Sequence, residues 1–305
     1  MRTRCVPELP EILAYLDALQ PRIIGKRLES LRIPGPFVVR TFEPPIEEIL
    51  GRRVLQTRRL GKRIVLEFDG ELFLVIHLMI AGRLRWADAG GDTPKKPVAS
   101  KIALATFRFE SGTLTLTEAG SKKRASLHVV RSAAELSRHD PGGMDPLTCS
   151  LADFAATLRR ENHTLKRSLT DPRQFSGIGN AYSDEILHAA RLSPLLLTRR
   201  MSDAQVAALH GAARRTLEHW MHALRRQFAG RFPGPGEITA FRPDFVVHGR
   251  FEMACPTCGA AVQRIRYADN ETNYCPRCQT GGRVLADRSL SRLLKDDWPR
   301  TLQEE

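Results

Sequence analysis

Two Cys-x-x-Cys pairs constrain this chain of 305 residues more than any other feature. Cys255 and Cys258 form one pair, and Cys275 and Cys278 form the other, after a gap of sixteen residues. This spacing is typical of two short knuckles that supply four thiolates to one tetrahedral structural zinc ion. Two disulfides or a thioredoxin-like redox pair are alternatives, but a cytoplasmic chain disfavours disulfides and a redox motif needs only one pair. The cysteines therefore predict a zinc ribbon over residues 245–282, with a structural rather than a catalytic zinc.

The amino-acid composition excludes several classes of protein. Hydrophobic residues make up 42% of the chain and charged residues 27%, which excludes a disordered polyelectrolyte and a collagen-like chain. The longest apolar stretch, from Leu72 to Ile80, is far shorter than the ~20 residues that span a bilayer. No apolar run precedes Pro7, so the N-terminus is not expected to be a secretory signal. We therefore expect a globular cytoplasmic protein without a membrane partner.

The chain is strongly basic. It carries 47 Lys and Arg residues against 34 Asp and Glu residues, which gives a net charge of +13. Such an excess on a folded chain favours a polyanionic partner, and nucleic acid is the first candidate. A basic surface also serves solubility, so charge alone does not separate the two explanations.

The first half of the chain has β patterns after one helix. Apolar residues recur at helical spacing from Leu9 to Leu19, and Pro21 is expected to end that helix. Two pairs of β-rich runs each surround a turn signal, which predicts two hairpins. The runs cover residues 63–68 and 71–77, around Asp69-Gly70, and residues 102–109 and 113–117. These hairpins predict a two-layer β-sandwich or barrel with the first helix beside it.

The second half has mostly helical patterns. Residues 133–150 are rich in Gly and Pro around Asp140 and are predicted to form a linker. Helical patterns follow at residues 151–160, 164–171, 180–191 and 202–228. The last pattern opens with Ser202-x-x-Gln205, which predicts a capping box. We therefore expect an α+β chain with three domains, over residues 6–132, 145–230 and 245–282.

Three short motifs have both a structural and a functional explanation. Pro7-Glu-Leu-Pro-Glu11 places two carboxylates one turn apart at a helix start, where helix capping alone would also favour them. A dense basic cluster ending in Lys62 and Arg63 stands before a predicted strand, where a solvated surface would also explain it. Gly177-Ile-Gly-Asn180 opens a helix whose backbone N–H groups can approach a phosphate oxygen. No motif alone distinguishes the structural from the functional explanation, so the motifs have to be considered together.

In combination, these motifs resemble the formamidopyrimidine-DNA glycosylase and endonuclease VIII family. The resemblance rests on Pro-Glu-Leu-Pro-Glu11, the basic hairpin, the helix start at Asn180 and the four-cysteine ribbon, and it covers nearly the whole chain. It implies an N-terminal catalytic β-sandwich with one flanking helix, a helix-two-turns-helix domain and a C-terminal zinc ribbon. It also implies a base excision repair enzyme that acts on double-stranded damaged DNA, excises oxidised bases and nicks the strand at the abasic site. We expect this enzyme to be a monomer.

The resemblance implies catalytic roles for three residues. In the family, the secondary amine of an N-terminal proline, matched here by Pro7, attacks the sugar C1′ carbon and forms a Schiff base. An amine suits this step because an α-amino group, with a reference pKa of about 7.7 to 8.0, is partly neutral in the cell. Glu8 matches the acid that protonates the sugar ring oxygen, before β- and δ-elimination break the strand on both sides. Lys62 matches a hairpin lysine that holds the phosphate beside the lesion.

The residues that precede Pro7 conflict with this reaction. Met1 to Val6 come before it, and a proline nitrogen within a peptide bond is an amide with no lone pair for attack. A valine codon can start translation in bacteria. Our hypothesis is that translation begins at Val6, that the initiator is removed and that residues 1–5 are not part of the natural protein.

The resemblance also implies contacts with DNA. Asn180 matches an asparagine that grips the DNA backbone, and Lys166 matches a basic residue of the preceding helix. Arg63 is the neighbour of the hairpin lysine. Ile80 stands where the family has an apolar wedge that fills the gap left by a flipped base.

Two departures from the family leave the lesion preference open. The family's Asp-Pro-Arg-Arg-Phe-Gly stretch, which supplies an arginine and an aromatic to the gap, is absent. Its place is taken by a segment with Lys122, Lys123 and Arg124, which we expect to bind phosphate. In the ribbon, Asn270 occupies the position of a phosphate-binding arginine, and Arg264 or Arg266 is the candidate replacement.

Three functions therefore stay open at the level of the sequence. The first is a glycosylase and abasic-site lyase that prefers oxidised or ring-opened purines. The second is an endonuclease VIII-like enzyme specific for oxidised pyrimidines. The third is a non-catalytic protein that binds damaged DNA on the same scaffold.

Overall fold

The structure, a computed structural model, describes residues 6–90, 101–120, 122–239, 242–267 and 270–285. The described residues form two compact units. Within the described residues, the sheet unit comes from the ranges 6–141 and 220–239, and the helix–ribbon unit comes from the ranges 142–219 and 242–285. Strands dominate the first unit and helices the second, which confirms the predicted α+β class. The domain bounds expected from the sequence stay a prediction.

The sheet unit contains two antiparallel four-stranded sheets. One has the order β1-β6-β7-β5 and the other has the order β2-β3-β4-β8. The strands are β1 Leu28–Arg32, β2 Val54–Leu60, β3 Arg63–Phe68, β4 Leu72–His77, β5 Gly82–Asp88, β6 Ala103–Phe109, β7 Gly112–Glu118 and β8 Ser126–Arg131.

The core of the sheet unit lies between these two sheets. Ile64, Leu66 and Phe68 on β3 belong to the same buried apolar cluster as Phe107 on β6 and Leu114 on β7. Strands β3 and β6 are in different sheets, so this cluster joins the inner faces of both layers. The predicted β-sandwich is therefore confirmed.

Helix α1, Leu9–Ile23, packs on this core and is longer than the sequence predicts. Pro21 lies inside its last turn instead of ending it. A proline inside a helix removes the hydrogen bond from its own nitrogen, and its ring crowds the carbonyl group four residues earlier, which together cost about 3 kcal/mol. Ile23, two residues later, is fully buried, and burial of such a side chain contributes about 1.5 to 3 kcal/mol. The expected helix end at Pro21 was wrong, because the helix continues to Ile23, whose burial in the core offsets much of this cost.

Both predicted hairpins are present, with a correction at the first turn. Arg63 pairs with His77 and Phe68 pairs with Leu72, so Glu71 belongs to the turn and not to β4. Glu71 has a left-handed φ of 55°, directly after Gly70 at 78°. Left-handed residues in a short loop match the twist of a hairpin. The expected strand start at Glu71 was therefore wrong by one residue.

Helix α2, Ser132–Ser137, occupies the beginning of the predicted linker. Leu136 on this helix is buried in a small apolar cluster with Val65, Val75 and Val130, on the outer face of the β3-β4-β8 layer. This contact between residues far apart in the sequence stabilises one and a half turns of helix. The expectation of a linker was wrong for residues 133–137.

The helix–ribbon unit follows the predicted helical pattern closely. Its elements are α3 Leu151–Arg160, α4 Leu165–Thr170, α5 Asn180–Ala189, the N-terminal part of α6 Asp203–Phe228, β9 Gln263–Tyr267, β10 Asn270–Tyr274 and α7 Pro276–Thr280. The predicted capping box is present, since the Ser202 N–H donates to Gln205 Oε1 at 3.0 Å and the Gln205 N–H donates to Ser202 Oγ at 3.2 Å. Strands β9 and β10 form the hairpin of the ribbon.

Among the residues that the structure describes, no helix is both long enough and apolar enough to cross a lipid bilayer.

Candidate functional site

Pro7 and Glu8 lie at the start of α1 in the sheet unit. Glu8 is the N-cap of the helix, and its N–H donates to Glu11 Oε2 at 3.0 Å in a capping box. Pro7 is buried, and the side chains of Glu8 and Glu11 are only 2% and 3% exposed. The structure therefore holds a carboxyl group in a fixed, largely dry position next to the proline. Residues 1–5 lie outside the described residues, so the start of translation stays a hypothesis.

Lys62 lies in the two-residue turn between β2 and β3, and Arg63 begins β3. Antiparallel pairing puts Arg63 opposite His77, at the end of β4. The Arg63 Nη1 group also donates to the carbonyl oxygen of His139 at 3.0 Å. The β2–β3 turn thus gathers a lysine, an arginine and an imidazole into one cationic group, which we call the turn cluster.

The histidines near the turn cluster have low pKa values. Burial, followed by the nearby charges of Arg63 and Lys62, lowers the pKa of His77 to about 4. Burial, followed by His139 and Arg63, lowers the pKa of His128 to about 4. The rings of His128 and His139 meet edge to face, with centroids 4.8 Å apart. These imidazoles are consequently neutral at physiological pH, so the positive charge of the cluster comes from Lys62 and Arg63.

His77 is a candidate functional residue that the sequence analysis did not single out. Its signal is the register of the hairpin, because cross-strand pairing brings it beside Arg63. That register depends on the turn at Glu71, which the sequence places one residue too early.

Ile80 occupies a tight turn between β4 and β5. The Gly82 N–H donates to the carbonyl oxygen of Leu78 at 2.9 Å, and Met79 has a left-handed φ of 51°. Leu78 is buried, whereas Ile80 is half-buried at the outer part of the turn. The buried side chain of Leu78 therefore anchors the turn that carries the half-buried Ile80.

The segment with Lys122, Lys123 and Arg124 is anchored by Glu118. The Glu118 side chain is 1% exposed, and its Oε2 accepts hydrogen bonds from the N–H groups of Arg124 at 2.8 Å and Ala125 at 3.0 Å. All three basic side chains are exposed. Glu118 is also the β-ladder partner of Gly82, so the structure brings this basic segment and the Ile80 turn to one end of the sheet.

Asn180 begins helix α5, after the predicted glycine-rich segment, where Gly177 has a φ of 87°. Its Nδ2 group donates to the carbonyl oxygen of Glu271, in β10 of the ribbon, at 2.8 Å. An amide nitrogen carries two hydrogens, and this bond uses one of them. Asn180 thus links the helix start to the ribbon.

Lys166 lies beside Asn180 but makes an ion pair inside the protein. Its Nζ group contacts Asp184 Oδ1 at 2.5 Å and donates to the carbonyl oxygen of Asn180 at 2.7 Å. The side chain of Lys166 is 12% exposed and that of Asp184 is fully buried. Asp184 Oδ2 also contacts His248 Nδ1 at 2.7 Å. The predicted phosphate contact of Lys166 is untested, and the geometry indicates that Lys166 also positions the start of α5.

The cysteine sulfurs of the ribbon converge on one point. The Sγ atoms of Cys258 and Cys275 are 3.3 Å apart, and the ligand atoms of Cys255, Cys275, Cys278 and His188 all lie within 4.8 Å of one another. Four thiolates bound to one zinc ion at about 2.3 Å would lie at similar separations. The donor set therefore fits one structural zinc ion. The cysteines among the described residues form no disulfide, which disfavours the alternative that the sequence left open.

Arg264 and Arg266, the candidate replacements for the ribbon arginine, both lie close to Glu271. Arg266 Nε contacts Glu271 Oε2 at 3.2 Å, and Arg264 Nη1 lies 3.8 Å from the same oxygen. The Arg264 guanidinium also covers the ring of Phe251, with 3.8 Å to the centroid. The backbone of Asn270 pairs with Tyr267. Arg266 is the more exposed of the two arginines, at 61% against 30%.

Three segments of the chain match protein-family profiles. Residues 6–125 match the N-terminal domain of formamidopyrimidine-DNA glycosylase, and residues 143–227 match its H2TH domain. Residues 254–281 match a zinc finger found in FPG and IleRS.

Relatives of known sequence agree with these matches. The formamidopyrimidine-DNA glycosylase of Variovorax paradoxus is 32% identical over 281 residues, which cover 90% of this chain and 100% of that protein. An uncharacterized formamidopyrimidine-DNA glycosylase-like protein of Mycobacterium tuberculosis is 41% identical over 153 residues, which cover 50% of this chain and 94% of that protein.

Solved structures show the same fold. The MutM (Fpg) protein from Thermus thermophilus superposes with a TM-score of 0.74 at 29% identity, over 90% of this chain and 98% of that one. A Lactococcus lactis Fpg in complex with DNA containing an abasic site superposes with a TM-score of 0.75 at 25% identity, over 90% of this chain and 99% of that one. Matches of sequence and fold that extend from the N-terminal β domain to the zinc finger show that this chain belongs to the formamidopyrimidine-DNA glycosylase family of DNA-repair enzymes.

Proposed function

We propose that this protein is a bifunctional DNA glycosylase and abasic-site lyase of base excision repair. The observation that carries the proposal is the buried Pro7-Glu8 pair at the start of α1, in a chain of this family. With Pro7 as the first residue of the mature chain, the amine and the acid that the reaction needs would be neighbours in the sequence. Glu8 is the N-cap of α1, so its carboxyl group is held in a fixed position directly after the proline.

In the proposed reaction, the Pro7 nitrogen attacks C1′ and the bond from C1′ to the oxidised base breaks. Glu8 donates a proton to the sugar ring oxygen, so that the ring opens and an iminium forms between Pro7 and C1′. Loss of a proton from C2′ then expels the 3′ phosphate, and a second elimination expels the 5′ phosphate. Hydrolysis of the iminium returns the free amine. Oxidised or ring-opened purines are the proposed lesions.

The proposed reaction requires Pro7 at the N-terminus of the mature chain. The match to the family's N-terminal domain begins at residue 6, directly before Pro7. Intact-mass measurement of the native protein tests this point directly, because a mature chain that retains Met1 or Arg2 would contradict it.

For DNA binding, we propose that the turn cluster of Lys62, Arg63 and His77 holds the phosphate next to the lesion. Two neighbouring cations, one in a short turn and one at the start of the following strand, favour a phosphate, and a neutral imidazole can still donate one hydrogen bond. Lys122, Lys123 and Arg124 are proposed as further phosphate contacts.

The remaining DNA contacts are proposed for the Ile80 turn and the helix–ribbon unit. Ile80 is proposed as the wedge that fills the gap left by the flipped base. Asn180 is proposed as a phosphate contact through its second amide hydrogen, assisted by Lys166. Arg266 supplies the ribbon arginine, and Cys255, Cys258, Cys275 and Cys278 bind the zinc ion.

Borohydride trapping tests the proposed chemistry. The chain beginning at Pro7 should become covalently attached to a duplex that contains an abasic site, whereas the 305-residue chain with Met1 should not. Peptide mapping should place the adduct on Pro7. DNA binding without a trapped adduct in the chain beginning at Pro7 would indicate a non-catalytic binder of damaged DNA.

The Glu8→Gln variant tests the acid separately. Its amide cannot protonate the ring oxygen, so base excision should fall by at least about 100-fold while DNA binding is kept. Parallel duplexes that carry oxidised guanine, ring-opened purines or oxidised pyrimidines would define the lesion class. Faster excision of pyrimidines would contradict the proposed preference.

A further inference from the structure

One face of α5 contacts the zinc ribbon along its whole length. Asn180, Asp184 and His188 are spaced four residues apart, so they lie on one side of the helix. Asn180 Nδ2 donates to the Glu271 carbonyl, the Asn273 N–H donates to Asp184 Oδ2 at 3.1 Å, and His188 Nε2 lies 3.4 Å from Cys255 Sγ. The last of these contacts joins the helix to the metal site itself.

The metal site has more donors than a tetrahedral zinc ion can bind. His188 is 7% exposed, and its ligand atom belongs to the same compact group as those of Cys255, Cys275 and Cys278. Cys258 is also present, with its sulfur 3.3 Å from that of Cys275. A structural zinc ion takes four ligands, so one of these five groups has another role.

The knuckle geometry favours the four cysteines as the ligands. The N–H groups of Cys258 and Gly259 donate to the carbonyl oxygen of Cys255, at 3.3 Å and 2.8 Å, so both sulfurs of the first pair belong to one closed turn. Four thiolates around Zn²⁺ leave a net charge of −2 in a largely buried site. Such a charge is costly without hydrogen-bond donors, and a ring N–H near a sulfur supplies one.

We propose that His188 is a positioning residue of the metal centre, whose Nε2–H donates a hydrogen bond to the Cys255 thiolate. The bond offsets part of the negative charge on the sulfur and holds the first knuckle against α5. The inference rests on the zinc ligand set proposed above. It makes zinc affinity depend on a residue of the helical region that does not itself bind the metal.

Metal competition on the full chain tests this inference. A chromophoric chelator measures zinc affinity for the wild type, His188→Phe, His188→Gln and His222→Phe, the last being an exposed histidine of α6. We expect His188→Phe to bind zinc about 10- to 100-fold more weakly. His188→Gln keeps a nitrogen donor and should recover most of the affinity, and His222→Phe should match the wild type. Unchanged affinity in His188→Phe would overturn the inference.

Two measurements on the wild-type chain keep the inference falsifiable if His188→Phe does not fold. The absorption spectrum of the Co²⁺-loaded protein should be that of four thiolates, and ¹⁵N NMR of the zinc-loaded protein should show a proton on His188 Nε2. A spectrum of three thiolates and one imidazole, or a metal-bound Nε2, would overturn the inference and the ligand set together. A four-thiolate spectrum with an unprotonated Nε2 would overturn the inference alone.

Discussion

Buried carboxylates organise the loops of this protein residue by residue. Glu118 accepts two backbone N–H groups, and Glu185 accepts three, from Val246, Val247 and His248 at 2.8 to 2.9 Å. Burial raises the pKa of Glu185, while the three backbone hydrogen bonds act in the opposite direction. Each carboxylate accepts hydrogen bonds from backbone N–H groups of an irregular segment, which have no helix or sheet partner.

We predict that Glu118→Ala lowers the free energy of unfolding by about 1 to 3 kcal/mol, because two backbone donors lose a buried acceptor. It should also weaken DNA binding, since the segment with Lys122 and Lys123 loses its anchor. Urea unfolding and a fluorescence binding assay measure the two effects. Glu118→Gln keeps one acceptor oxygen and should lie between the variant and the wild type. Equal stability of Glu118→Ala and the wild type would contradict the anchoring role.

The low pKa of His128 predicts a loss of stability in acid. Its pKa of about 4 in the folded state lies below the unfolded value of 6.5, so between these pH values only the unfolded state binds the proton. Stability should therefore fall as the pH drops from 6.5 towards 4 and should not depend on this group above 6.5. For a half-buried ring, we expect His128→Gln to reduce the stability difference between pH 7.5 and 5.0 by about 1 kcal/mol. Urea unfolding of the wild type, His128→Gln and the control His222→Gln at both pH values measures this difference. An equal change of stability in all three proteins would refute the prediction.

At the scale of elements, short turns decide which side chains meet. The three-residue loop after β3 brings His77 opposite Arg63, and a shift by one residue would turn His77 to the other face of the sheet. The turn at Ile80 has an equally strict requirement. A Cβ atom on Gly82 would lie 2.2 Å from the carbonyl oxygen of Leu78, closer than any side chain can approach.

We therefore predict that Gly82→Ala displaces the Ile80 turn and lowers the free energy of unfolding by about 1 to 3 kcal/mol. Gly35→Ala is the matched control, because no atom lies within 4 Å of its added Cβ. Thermal unfolding of both variants measures the difference. Two equal melting temperatures would show that the Leu78 carbonyl can move away at little cost.

At the scale of the whole molecule, a net charge of +13 makes binding to DNA an electrostatic event that depends on salt. Not all of this positive charge is available to DNA, because many basic side chains form ion pairs within the protein. Lys26 lies 3.9 Å from Glu110, and Arg225 lies 2.8 Å from Asp17. Sites that bind phosphate must therefore be distinguished from basic residues that only balance local acids.

The logarithm of the DNA-binding constant falls linearly with the logarithm of the salt concentration. We predict that Lys62→Gln makes this slope less steep by about 1, as expected for one lost phosphate contact. Lys26→Gln removes the same charge from a lysine paired with Glu110 and should leave the slope unchanged. Titrations of an abasic-site duplex at several salt concentrations measure both slopes. An equal reduction in the two variants would assign the effect to net charge and not to the turn cluster.

Local chemistry along the chain was sufficient to predict much of this protein. The paired cysteines, the capping box at Ser202 and the turn at Asp69-Gly70 each depend on neighbours a few residues away, so their patterns are visible in the sequence. The same holds for the start of α5 at Asn180, whose glycines precede it directly.

Contacts between distant segments could not be predicted in this way. The ion pair of Lys166 with Asp184, the helix at Leu136 and the position of His77 opposite Arg63 all depend on packing or strand register. His188 gives the clearest case, because nothing in its neighbouring sequence indicates a metal site 67 residues away at Cys255. The local sequence pattern determines the helix or strand to which a side chain belongs. Its contacts with other elements form only when folding buries those elements against each other.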